Sequence, residues 1–199
     1  MVAFDVVRKF EETVASYAGS KYAVSVDSCS NAIFLSLMYR NVKGMEIEMP
    51  SRTYPSVPCA IIHAGAKVKF KDYAWKGVYT LDPVGIVDGA KRFTKDMYIK
   101  DTLHCLSFHH KKHLKIGRGG IILTDDEQAY KWLKKARFDG RSECALVDDE
   151  FTMLGWNVYM SPEQAARGLW LMSAMPQNNE DLEENPDYPD LSKFPIYHQ

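Results

Sequence analysis

An α/β fold, a mainly parallel sheet with helices on both faces, is predicted by three observations. Short apolar strands alternate with helical patterns along most of the chain, as in βαβ units. A strand at Tyr22 to Val26 runs into a turn rich in N-cap residues and then a buried helix. With 199 residues and 46% hydrophobic side chains, the chain can fill one substantial core but not two full domains.

The elements follow in order. Phe4, Val6, Val7, Phe10, Val14 and Tyr17 recur at helical spacing, and Gly19 marks the stop. The strand Tyr22–Val26 leads through Asp27-Ser28-Cys29-Ser30-Asn31 into a helix over 32–38. A strand over 45–49, a loop over 50–54, a helix over 55–63 and a strand over 66–70 repeat the pattern. Further strands are expected at 85–88, 103–108 and 120–124, then a charged helix over 126–137 and a last helix over 162–172.

Residues 176–199 differ in composition. Six acidic side chains stand there against Lys193, together with Pro176, Pro186, Pro189 and Pro195, so the segment is about five units negative and the remainder about four positive. The chain is therefore divided into a body over 1–175 and an acidic tail over 176–199, the tail expected to be extended or disordered. The net charge of -1 gives no global pull toward nucleic acid or an anionic membrane. No apolar run is long enough to span a bilayer. Four separated cysteines without a CxxC pair, and no secretory signal, are expected of reduced thiols in a cytoplasmic protein. Four histidines crowd into residues 104–113, but no carboxylate or cysteine at ligand spacing completes a metal site.

The chemistry concentrates in five segments. In Ser107-Phe-His-His-Lys-Lys112, followed by Gly117-Arg-Gly-Gly120, one lysine at a strand end is flanked by other cations and a glycine turn. Val84-Gly-Ile-Val-Asp88 ends a strand on a carboxylate, and Lys91 follows three residues later. Ser28-Cys29-Ser30 opens a helix, where backbone N–H groups and the helix dipole bind phosphate. Pro50-Ser-Arg-Thr-Tyr54 presents an aromatic ring from a loop, and Gly155-Trp-Asn157 precedes Met160-Ser-Pro-Glu-Gln-Ala-Ala-Arg-Gly-Leu169.

In this order the five segments resemble the DegT/DnrJ/EryC1/StrS sugar aminotransferases, across residues 4–172. The resemblance implies an abbreviated fold-type-I pyridoxal 5′-phosphate (PLP) transferase large domain, with the C-terminal small domain missing. It implies PLP as cofactor, held in a Schiff base by Lys112, whose register selects it over Lys111 and Lys115. Asp88 falls where the family pairs a carboxylate with the pyridine nitrogen. Ser28, Cys29, Ser30 and Ser107 fall at phosphate positions, Tyr54 at the ring-stacking position, and Asn157 at a position that reaches the phosphate of a partner subunit, implying a homodimer. Cys29 replaces the family's glycine, Lys91 replaces its usual His or Gln, and Tyr159 replaces its arginine.

The implied reaction is amino-group transfer from an amino acid, glutamate by resemblance, to a keto group on a nucleotide-linked sugar. A decarboxylase, dehydratase or lyase using the same cofactor, or a non-catalytic binding protein on the same scaffold, are the alternatives. One departure bears on topology. A family β-α unit is absent between Pro83 and Val84, so the strand at 85–88 must enter the sheet without the dozen-residue crossover that parallel neighbours need.

Overall fold

The computed structural model describes residues 3–183 and 188–198. Helix α1 (Asp5–Ala18) ends on Gly19 in the left-handed conformation, which an L side chain adopts at a cost. Strand β1 (Tyr22–Val26) passes to α2 (Cys29–Tyr39), whose first turn is capped by the Ser28 hydroxyl accepting from the Asn31 N–H. Then come β2 (Glu46–Pro50), α3 (Ser56–His63), β3 (Lys67–Lys71), β4 (Tyr79–Leu81), β5 (Ile86–Asp88), β6 (Leu103–Ser107) and β7 (Gly120–Thr124). Helix α4 (Glu127–Ala136) is capped by Asp126, and α5 (Pro162–Met172) by a reciprocal Ser161–Gln164 box.

The fold is α/β as expected, and its sheet is mixed: most strands share one direction, but both parallel and antiparallel neighbours occur. A five-stranded sheet has the order β1-β7-β6-β5-β4, and β2 pairs with β3 separately. Among the described strands, β5–β6 and β2–β3 pair parallel, and β1–β7, β6–β7 and β4–β5 pair antiparallel. An antiparallel bridge joins the two sheets, with the Glu48 N–H donating to the Asp82 carbonyl at 2.8 Å and the Asp82 N–H donating to that of Glu48 at 3.2 Å. Following these pairings, β1, β2, β3, β5 and β6 share one direction, and β7 and β4 run against them.

Strand β4 was not expected, and it solves the topological problem. The chain turns sharply at Asp82–Gly85, Gly85 taking φ 63°, and β5 pairs back on β4 with Tyr79 opposite Asp88. A hairpin needs only a tight turn where a parallel entry needs a crossover. The parallel step from β5 to β6 is made by residues 89–102, which are long enough for it but form no helix.

Two apolar clusters pack the two faces. One lies under α2, α3 and α4, around Ile33, Leu35, Ile47, Leu81, Ile86 and Ile122. The other lies under α1 and α5, around Phe10, Phe93, Leu106, Phe108 and Ile121.

The described part of the tail keeps an extended path interrupted by short 3-10 turns at Leu191–Lys193 and Pro195–Tyr197, and it packs on the body. Asp181 forms a two-pronged ion pair with Arg92 at 2.6 and 2.7 Å. The Leu182 N–H donates to the Lys91 carbonyl at 2.9 Å, and buried Leu191 donates its N–H to the Ser51 carbonyl at 2.8 Å. Glu184, Pro186 and Asp187 of the acidic tail lie outside the described residues.

Candidate active site

Because β1, β2, β5 and β6 run the same way, their C-terminal ends and the loops after them meet at one edge of the sheet. Ligands of open α/β sheets bind at such an edge. There a cleft of about 470 Å³ opens, lined by Ser28, Cys29 and Ser30 after β1, Thr53 and Tyr54 after β2, Asp88 and Lys91 at β5, and Ser107 and Lys112 at β6. Eight of the nine residues singled out from the sequence thus line one cavity. Asn157 does not. It is exposed, bridged to Phe138, and its amide donates to Asp139 at 2.9 Å.

At the floor, Asp88 is 5% exposed and both its oxygens are engaged. One accepts from the Ala90 N–H at 2.9 Å and the other from the Tyr79 hydroxyl at 2.7 Å. Burial nevertheless pushes its carboxyl above the ordinary value, against the pull of the Ala90 N–H, Tyr79, Lys112 and Lys91. Desolvation at the floor thus outweighs the two lysines and two hydrogen bonds that favour the charged form.

At the opposite wall, α2 begins with Cys29 already in the helix, so the side chain in the glycine position meets no conformational obstacle. A helix leaves its first N–H groups without internal partners. Gly120 of β7 lies so close that a Cβ there would stand 2.5 Å from the Cys29 nitrogen, which presses this helix start against the sheet. Burial pushes the Cys29 thiol up and keeps it neutral. Ser107 ends β6 beside this turn, and the Ser30 hydroxyl donates to that of Ser56 at 2.6 Å. Lys112, half-buried, lines the same cleft as Asp88 and the start of α2, and exposed Lys111 lines it too.

Lys91 is only 5% exposed. Its ammonium lies 5.0 Å from the ring centroids of both Trp75 and Tyr188 and donates to the Glu183 carbonyl at 3.0 Å. It is thus clamped by the tail and by the segment before β4. Tyr54, 59% exposed, stands at the mouth.

Several lining residues had no mark in the sequence. Trp75 and Tyr188 come from segments without regular periodicity, and Arg118, paired with Asp27 at 2.9 Å, looked like one cation among many. The histidines disperse. His104 is buried in the sheet, the His109 and His110 rings lie 3.9 Å apart and tilted by 40°, and His113 contacts the Glu180 carbonyl.

This geometry fits PLP. A buried acid suits a protonated pyridine nitrogen, the α2 start suits a phosphate, and Lys112 supplies an amine in the same cleft.

Three known proteins show what the chain is similar to. The spore coat polysaccharide biosynthesis protein SpsC of Bacillus subtilis is 27% identical over 78% of this chain and 48% of its own length. A UDP-4-amino-4,6-dideoxy-N-acetyl-beta-L-altrosamine transaminase of Campylobacter jejuni is 24% identical over 92% of this chain and 61% of its own length. In fold, the chain resembles a crystal structure of a DegT DnrJ EryC1 StrS aminotransferase from Brucella abortus, with TM-score 0.69 and 17% identity over 86% of this chain and 59% of that one. The chain spans about half the length of the first of these curated relatives. Residues 2–99 and 89–188 each match one protein family, and the chain belongs to it: the DegT/DnrJ/EryC1/StrS aminotransferase family.

Proposed function

We propose that this chain binds PLP through Lys112 and transfers an amino group from an amino acid, glutamate by family resemblance, to a keto group on a nucleotide-linked sugar. The observation that carries the reading is the convergence, in one cleft, of Lys112, buried Asp88 and the start of α2. PLP, when bound, withdraws electrons from the carbon bearing the amine and so makes its proton labile. Asp88 would hold the pyridine nitrogen protonated by charge and hydrogen bond. Ser28, Ser30, Ser107 and the first N–H groups of α2 would bind the phosphate, and Tyr54 would lie over the ring. Lys112 would bond to the cofactor's aldehyde and, once displaced by substrate, carry the proton between carbons as general base. The same carbanion chemistry serves decarboxylases, dehydratases and lyases, so the substrate test below separates them.

A homodimer belongs to this reading. Asn157 stands exposed and outside its own cleft, and the loop before it exposes Leu146, Val147, Phe151 and Leu154. Apolar side chains in one exposed loop favour an interface between copies. Residues 1–175 would then be the PLP-binding body, and 176–199 an acidic tail to it.

The test is uptake of PLP, borohydride reduction and peptide mapping. Lys112→Ala should abolish the reduced adduct and Lys111→Ala should retain it; an adduct on Lys111 or Lys115 overturns the site. Adding glutamate should convert the bound cofactor to its amine form, and Asp88→Asn should slow that conversion at least about tenfold, the worth of one charged hydrogen bond. Cofactor uptake without conversion by any amino acid would favour another PLP reaction, and no uptake would leave a binding protein. Light scattering that finds only monomer with PLP present would reject the dimer.

A further inference from the structure

The β4–β5 hairpin sets a tyrosine behind Asp88, beneath the cleft floor. Tyr79 and Asp88 are directly opposite on β4 and β5. Their side chains meet beneath the cleft, where the Tyr79 hydroxyl, 2.7 Å from Asp88 Oδ2, is also 2.9 Å from the Thr53 hydroxyl. A phenol has one proton and two lone pairs, so with its proton given to the carboxylate it accepts from Thr53. The chain Thr53 to Tyr79 to Asp88 is thereby oriented one way. Tyr79 is 5% exposed and Thr53 1%, so water does not compete for either hydroxyl. The Trp75 ring packs edge-on against Tyr79 at 4.7 Å and is itself held by its indole N–H on the Arg52 carbonyl. Burial and the neighbouring Asp88 charge push the Tyr79 hydroxyl well above its ordinary value, so it stays a donor.

We propose that Tyr79 is a positioning residue for Asp88, its hydroxyl fixing the rotamer of the carboxylate and holding it ionised with its charge directed into the cleft. The proposal rests on the reading of Asp88 as the partner of the PLP pyridine nitrogen. A carboxylate with one oxygen held by the Ala90 N–H alone would be free to turn its second oxygen away from the cleft. With Tyr79 in place both oxygens are fixed, and the geometry that meets the cofactor exists before it arrives.

The groups facing Asp88 are Tyr79 of β4, Cys29 of α2, Cys105 of β6, Lys112, Lys91 and Tyr188. The cysteine thiols are pushed up by burial, and Tyr188 likewise, so among these only the two lysines and Tyr79 favour the charged carboxylate.

The test compares the whole chain with Tyr79→Phe, which keeps the ring, and with Thr53→Val, which removes only the far end of the relay. In the cofactor-free proteins, carbon-13 NMR of labelled aspartate, with Asp88→Asn to assign the signal, follows the Asp88 carboxyl through its titration. The midpoint should move to higher pH in Tyr79→Phe, and by less in Thr53→Val. The dissociation constant for PLP should rise about tenfold in Tyr79→Phe, the worth of one hydrogen bond to a charged group. An unmoved Asp88 midpoint in a folded Tyr79→Phe overturns the proposal. So does a moved midpoint with PLP binding unchanged, which would make the contact merely structural. Failure of the unaltered chain to bind PLP sinks the cofactor reading and this proposal with it, a result distinct from either.

Discussion

His104 sets a pH dependence of stability that can be worked out from its surroundings. It sits in β6 opposite Val87, fully buried, and its Nε2 lies where a Cβ on Gly89 would come within 2.4 Å. Among the described residues neither ring nitrogen has a hydrogen-bond partner. Burial, aided by the charge of Arg92, lowers its pKa from 6.5 to about 4. Because the folded value is the lower, the unfolded chain binds more protons between the two. Stability is therefore full above about pH 6.5 and lost as the pH falls toward about 4. A gap of about 2.5 units at about 1.4 kcal/mol each makes this loss about 3 kcal/mol. That is a large part of the roughly 5–15 kcal/mol by which domains are stable. Urea unfolding at several pH values between these limits measures it, with His104→Leu as control. The variant should lose this slope and be no less stable near neutrality, since two unpartnered nitrogens leave the core. Parallel stability curves for the two proteins, or a His104 ring that titrates near 6.5 by NMR, would refute the reasoning.

Other expectations can be checked by similar means. Arg137 is fully buried, pairs with Glu11 and with Glu143 at 2.9 Å, and Arg137→Met should cost about 3–5 kcal/mol in urea unfolding by leaving the acids uncompensated. Burial pushes the Glu143 carboxyl up, but Lys134, Arg137 and Arg8 together bring it below its ordinary 4.5. Its contribution is thus present above that value and lost as the pH falls through the lowered one, so Glu143→Gln should flatten the acid limb of the stability curve. Gly140 has φ 79°, and a Cβ there would lie 2.0 Å from the Met153 carbonyl oxygen. Gly140→Ala should therefore destabilise by more than about 2 kcal/mol and lower the Tm. Tyr188→Ala removes one ring of the Lys91 clamp, and trypsin should then cut faster after Lys91.

The helices were legible because each announces itself locally. Gly19 stops α1, Ser28 and Asp126 cap α2 and α4, and Ser161 with Gln164 closes a box at α5. That Lys112, Asp88 and Ser28–Ser30 come together in one cleft follows for a similar reason: each lies at, or within a few residues after, the end of a strand. Strand β4 was not legible. Three residues are too few to show a period of two, and its pairing depends on where β5 lies. The tail shows how far composition carries. Acid and proline content gives no helical or strand pattern, and among the described residues the tail has only short 3-10 turns, yet Asp181 finds Arg92, and Tyr188 finds Lys91, across the chain. Such pairings are set by the fold and leave no local pattern.

The direction of β4 explains how a site survives the absent unit. The cleft needs Thr53 and Tyr54 at the same edge as Asp88 and Ser107, so β2 must run parallel to β5 and β6. A single strand inserted by a tight hairpin necessarily runs against β5. For β2 to recover the common direction, its contact with that hairpin must itself be antiparallel, and the Glu48–Asp82 bridge is. Two reversals thus restore the alignment that a crossover would otherwise have to secure. The first of them also sets Tyr79 opposite Asp88, so the connection that closes the sheet and the hydrogen bond that orients the buried acid have one structural origin.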